Sequence, residues 1–147
     1  MLIRLMPDQI MKYWPQIRDC ILAAIPPVSD LTEDALLVLQ SEFLSGEMDA
    51  WIGATDDGVY GVATTKIVVD DPSLTRNLLI YSVTMIDDAP ASAISEGLQK
   101  LKQYAIGKRC RRVIAYSNNE KLLSIARRLK GDDSYRIIYF DIEGGEF

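Results

Sequence analysis

The sequence has 147 residues, 48% of them hydrophobic and 25% charged, with a formal net charge of −5. That balance fits a globular domain and excludes a disordered chain, which is poorer in apolar side chains and richer in charge. No run approaches the roughly 20 apolar residues of a membrane span, and Met1 to Asp8 lacks the basic-then-apolar order of a secretion signal. A single cytoplasmic domain spanning residues 1–147, without membrane contact, is expected.

Histidine is absent. Histidine triads, histidine metal sites and histidine bases are therefore excluded, and proton transfer falls to carboxylate, tyrosine, lysine, cysteine or water. No metal is expected. Cys20 and Cys110 have no metal-ligand spacing and read as free, buried thiols of a reducing compartment. Cys110 is flanked by Arg109 and Arg111, a setting that can activate a thiol. Residues 99–130 hold ten Lys/Arg against one acid, Glu120, a segment charge of +9 that leaves −14 on the rest. Such a band suits a phosphate-rich partner, or solvated helix faces and helix C-termini. Only Tyr104 and Tyr116 are interleaved with it, so nucleic-acid binding is weakly supported.

In chain order, Leu2 to Met6 reads as a short strand and Asp8 onward as a helix. Ile10, Trp14, Ile17, Ile21 and Ile25 recur at steps of three and four along one stripe. Pro15 is expected to kink or reset this helix, and Pro26-Pro27 to end it. Asp30-Leu31-Thr32-Glu33 resembles a capping box, opening a helix with Leu36, Leu39 and Phe43 on one face and Gly46 as its stop. The period then changes to two. Met48 to Thr55, Val59 to Val69 and Leu78 to Ile86 form three strands, joined at Asp56-Asp57-Gly58 and Asp70-Asp71-Pro72-Ser73 as an antiparallel meander. The acidic pairs at these turns follow from turn propensity. In the third strand Tyr81, Val83 and Met85 alternate with Ser82 and Thr84, so the two sets should face opposite layers.

Past Ile86 the chain alternates helix and strand. Pro90 fits the first turn of a helix carrying Ile94, Leu98, Leu101 and Ala105, which Gly107 ends. Arg112 to Tyr116 reads as a central strand. Ser117-Asn118-Asn119 caps a helix with Leu122, Ile125 and Leu129, closed by Gly131. Tyr135 to Ile142 reads as a last strand, and the tail from Glu143 is expected to fray. The expected fold is α/β with the order β-α-α-β-β-β-α-β-α-β. A parallel crossover after Ile86 gives a mixed sheet with helices on both faces.

This order, over essentially the whole chain, resembles the GNAT superfamily of N-acetyltransferases. Ile3-Arg4 followed by Asp8 looks like the start of many such domains. Asn119 to Gly131 is similar to their late segment, where an asparagine precedes an amphipathic helix ending near a glycine. The resemblance implies that the fourth and fifth strands splay apart, that acetyl-CoA enters the cleft between them, and that the acyl group passes to an amine. The family's Gln/Arg-x-x-Gly-x-Gly/Ala loop cradles pyrophosphate with backbone amides and a helix N-terminus. It falls here on Pro90-Ala91-Ser92-Ala93-Ile94-Ser95. The implied coenzyme contacts are therefore Met85, Ile86, Ala91, Ser92, Ala93, Ile94 and Ser95, with Asn119.

The loop departs from the family pattern. Pro90 offers no side-chain donor and no N–H, Ala93 adds a methyl at a glycine position, and Asp87-Asp88 bring negative charge. At an effective dielectric near 20, one like-charge contact at about 4 Å costs on the order of 4 kcal/mol before screening. Weak acetyl-CoA binding is expected. The family's acid, a tyrosine on the last helix, corresponds to Ala126; Tyr116 is the nearest substitute. No general base stands out. The first functional reading is an acyl-CoA-dependent N-acyltransferase of weak or lost activity, acting on an amine that the acidic bulk of the chain would favour as a cation. The alternative is a non-catalytic GNAT-like scaffold working by protein–protein contact, resembling short domains encoded by tailed phages or prophages.

Overall fold

A computed structural model describes residues 1–24, 29–86 and 89–142. Ile25, Pro26-Pro27, Asp87-Asp88 and the tail from Glu143, singled out above, lie outside the described residues. The chain divides into two compact units, Met1–Tyr116 and Ser117–Phe147. The first holds β1 (Leu2–Arg4), α1 (Pro7–Ala23), α2 (Glu33–Ser45), β2 (Met48–Thr55), β3 (Gly58–Asp70), β4 (Thr75–Met85), α3 (Ala91–Gly107) and β5 (Arg112–Ala115). The second holds α4 (Glu120–Arg128).

Helix starts follow local chemistry. Pro7 opens α1 where a missing amide costs nothing, and Gln9 Oε1 accepts the Met6 amide at 2.8 Å. Pro15 neither ends nor restarts α1, which runs on to Ala23. Thr32 caps α2 by accepting the Ala35 amide at 3.1 Å; position 35 has no carboxylate to return the bond, so the expected capping box is half made. Gly46 closes α2 with φ +86°, a left-handed conformation that suits glycine.

The five strands lie in the order β1-β2-β3-β4-β5. The first three pairings are antiparallel and β4–β5 is parallel, as the crossover requires. Strand alternation sorts side chains to two faces. Met48, Ala50, Ile52 and Val62 pack with Ile10, Ile17, Ile21, Leu39 and Phe43 from α1 and α2. Trp51, Ala63 and Leu78 pack with Leu101 and Ala105 of α3 on the other face. Burying each large aliphatic contributes about 1.5–3 kcal/mol, so the two faces hold the unit together from both sides.

Two expectations are corrected. Tyr135 to Ile142 forms no strand: residues 131–142 are neither helix nor strand, and Tyr135, Ile138 and Ile142 are exposed. An alternating apolar pattern becomes a strand only when a neighbouring backbone supplies the ladder, and none does among the described residues. The regular alternation expected in β4 also fails. Thr64 pairs with Ser82 and Thr65 with Ile80, which leaves Tyr81 as an extra, bulged residue. Tyr81 and Ser82 consequently both face α1 and α2, while Ile80 and Val83 face α3.

Candidate functional site

The parallel ladder between β4 and β5 is short. It runs from Asn77 opposite Arg112 to Ile80 opposite Ala115 and then stops. β4 continues for five residues, Tyr81–Met85, without a β5 partner. The ladder thus ends beside the Tyr81 bulge, where β5 itself ends. Tyr116 follows immediately after β5 and is 43% exposed; it lies just past the strand rather than in it.

At the far end of β4, the Ile86 amide bonds the Tyr60 carbonyl at 2.9 Å and the Ala89 amide bonds the Ile86 carbonyl at 3.1 Å. Pro90 is the N-cap of α3, one position earlier than expected, and makes no side-chain cap bond. Its missing N–H costs the helix nothing there. The Ala93 and Ile94 amides both reach the Pro90 carbonyl, at 3.0 and 3.4 Å. The amides of Ala91 and Ser92 find no acceptor among the described residues, and both residues are exposed. A helix start with unfilled donors is receptive to an anion.

Ala93 behaves differently from expectation. Its methyl is buried with Ala89 and Tyr60, with Met85 packed alongside, so it supports the helix from beneath. Tyr60 occupies a second bulge, between Gly53–Gly61 and Ala54–Val59. A Cβ on Gly53 would stand 2.6 Å from the Tyr60 ring, so only glycine lets Tyr60 lie there. Burial, with Glu96 nearby, pushes the Tyr60 phenol up.

A concavity of about 450 Å³ opens beside the bulge, lined in part by Ser29, Asp30, Glu42, Lys66 and Tyr81. The Tyr81 hydroxyl donates to Ser29 Oγ at 3.3 Å, and Lys66 Nζ lies 3.5 Å from Glu42. Sequence reasoning missed this group because it comes from four separated segments, gathered by a bulge that no residue type announces. Behind Tyr81 the polar core is closed: Thr64, Ser82 and Cys20 are buried and bonded to one another. Burial pushes the Cys20 thiol up, opposed by hydrogen bonds from Ser82 and Thr84. Cys110 is half-buried rather than buried.

Asn119 lies in the second unit. It caps α4, its Oδ1 accepting the Leu122 amide at 3.2 Å. Ala126 is there too, its carbonyl accepting the Gly131 amide at 2.8 Å. Of the residues expected at the coenzyme, Ala91, Ser92, Ala93, Ile94 and Ser95 open α3 and Met85 packs with Ala93, while Ile86 follows β4 and bonds the Tyr60 carbonyl. Tyr116 lies at the end of the neighbouring strand. No helix among the described residues is long and apolar enough to cross a membrane.

No protein-family model and no curated protein sequence matches the chain. Solved structures do. The chain is similar to a probable acetyltransferase at 13% identity and a TM-score of 0.69, with 99% of each chain covered. It is similar to a predicted acetyltransferase from Clostridium acetobutylicum, solved with acetyl-CoA, at 11% identity and a TM-score of 0.71, covering 100% of this chain and 99% of that one. It is also similar to an aminoglycoside acetyltransferase from an uncultured soil metagenomic sample, in complex with sisomicin, at 14% identity and a TM-score of 0.71, covering 96% and 93%. At such identities the likeness speaks to architecture. Together with the meander and the parallel crossover, it establishes that this chain has the fold of the GNAT acetyltransferases.

Proposed function

We propose that this chain is an acyl-CoA-dependent N-acyltransferase of low coenzyme affinity, with residues 1–147 working as one domain on a cationic amine. The observation that supports this reading is the end of the β4–β5 ladder at Ile80 and Ala115, ahead of a helix N-terminus whose Ala91 and Ser92 amides find no acceptor among the described residues. The Ala91 and Ser92 amides take the pyrophosphate, Ile94 and Ser95 flank it, and Met85 and Ile86 run beside the pantetheine arm. Acetyl-CoA supplies an activated thioester. Water takes a proton from the ammonium, the freed lone pair attacks the thioester carbonyl carbon, the C–S bond breaks, and the Tyr116 hydroxyl gives its proton to the leaving sulfur. The second proton shed by the acylated nitrogen returns through water to the tyrosinate. Asp30 and Glu42, in the concavity beside Tyr81, draw the cation in. Asn119 is assigned no part in this site.

Low affinity follows from the loop. No Lys or Arg stands between Ala89 and Glu96, so amides and the helix dipole act without a charge-assisted partner. That same gap, with Ala126 in place of a tyrosine, favours the second reading, a scaffold acting through protein contact as in phage-encoded domains.

Calorimetric titration tests the choice. Acetyl-CoA is expected to bind with a Kd of about 1 mM, some −4 kcal/mol. Pro90→Arg is expected to tighten it roughly tenfold by adding a charged donor. Absence of binding in both proteins would leave the scaffold reading in place.

A further inference from the structure

At the opposite end of α3, two turns meet. The β3–β4 turn spans residues 71–74 and the α3–β5 turn spans 108–111. Arg76 ties them together: its Nε donates to the Lys108 carbonyl at 3.1 Å, and its own carbonyl accepts the Arg111 amide at 2.7 Å. Each turn carries a non-glycine residue in the left-handed region, Leu74 at φ 56° and Arg109 at φ 60°. Turns of this kind normally use glycine or asparagine, and strain kept in this way clusters at functional surfaces. Neither side chain repays the strain by packing. Leu74 is 73% exposed, and Ile106 beside the second turn is 74% exposed.

The charge on this surface is unbalanced. Arg109, Arg111 and Arg112 are exposed and make no ion pair among the described residues. Asp70 accepts the Ser73 amide and hydroxyl, which hold it below the usual carboxylate range and keep it anionic; with Asp71 it sets two acids against the five cations Arg76, Lys108, Arg109, Arg111 and Arg112, so the two turns stay net positive. The Lys108 ammonium lies 5.7 Å over the half-buried Tyr104 ring.

We propose that this end of the sheet is a docking surface for an acidic polypeptide segment that also carries aliphatic side chains. Three arginines donate bidentately to carboxylates, and Leu74 and Ile106 receive the aliphatic groups. The surface presents no exposed aromatic ring on which bases would stack.

The test is fluorescence anisotropy with a labelled synthetic peptide of alternating glutamate and leucine at about 50 mM salt. Comparators are the same peptide with serine for leucine, a DNA duplex and phosphatidylserine vesicles. The leucine peptide is expected to bind best, with affinity falling as salt rises. Arg109→Glu with Arg111→Glu should weaken it at least about tenfold, and Leu74→Ser about threefold. Arg109→Gly should weaken binding while holding or raising the melting temperature, since glycine suits that φ; this separates docking from folding. Charge reversal at Lys12 and Arg18 on α1 should change little. Equal binding of the serine peptide, preference for DNA or vesicles, or indifference to the arginine reversals would overturn the proposal.

Discussion

The two ends of α3 present opposite surfaces. Among the described residues, its N-terminus leaves the Ala91 and Ser92 amides without an acceptor and has no Lys or Arg from Ala89 to Glu96, whereas its C-terminus gathers Lys108, Arg109, Arg111 and Arg112. A helix of 17 residues is about 25 Å long, well beyond the screening length of about 8–10 Å at ordinary salt. Lys108, Arg109, Arg111 and Arg112 therefore contribute almost nothing to an anion held at the first turn. Cations are favourable where the helix dipole is negative, and this chain has placed them there. A charge count read along the chain cannot distinguish these ends; the helix axis does.

Three perturbations sharpen the contrast. The largest concerns the thiols. Cys110, half-buried at the cationic end, is expected to react with a soluble disulfide reagent on the order of a thousandfold faster than Cys20, which is 2% exposed and reached only by opening the α1 layer. Mass spectrometry of Cys110→Ser and Cys20→Ser under native conditions measures the ratio; similar rates would mean the layer over Cys20 is loose. Next, Gly53→Ala strikes the amide end alone. A methyl 2.6 Å from the Tyr60 ring must displace Tyr60 and the Ala93 packing beneath α3, at a cost of about 2 kcal/mol by urea denaturation. An unchanged midpoint would show that Tyr60 does not support that turn.

The smallest effect is at the cationic end and depends on pH. Burial, then the hydrogen bond to Asp49 and its charge, push the Tyr104 phenol from 10 up to about 12, with Arg4 opposing. The folded state thus holds this proton more tightly than the unfolded chain. The resulting stability is whole below pH 10 and is lost as pH climbs toward 12. Tyr104 is half-buried and solvent screens part of the effect, so its contribution is about 1 kcal/mol. Tyr104→Phe should flatten the alkaline decline in melting temperature; an identical decline would assign it to other groups.

Much of this was legible in the sequence because period and punctuation are local signals. Gly46, Thr32 and the 56–58 turn mark boundaries by backbone preference, and the crossover past Ile86 follows from a helix lying between two apolar runs. The bulges were not legible. Tyr81 and Tyr60 are extra residues in otherwise regular strands, and only pairing with Thr64–Thr65 or Gly53–Ala54 reveals them. The burial of Ala93 follows from the second bulge, so its methyl read as an obstruction until Tyr60 was in place. Tyr135 to Ile142 shows the converse: an alternation of sound strand character with no ladder to join among the described residues.

The central claim is that the anion site is the α3 N-terminus and not the cationic end. Amide chemical shifts recorded during a titration with acetyl-CoA test it directly. The account predicts that the Ala91, Ser92 and Ile86 signals move together while those of Arg109, Arg111 and Arg112 stay fixed. Movement confined to the arginines would contradict it.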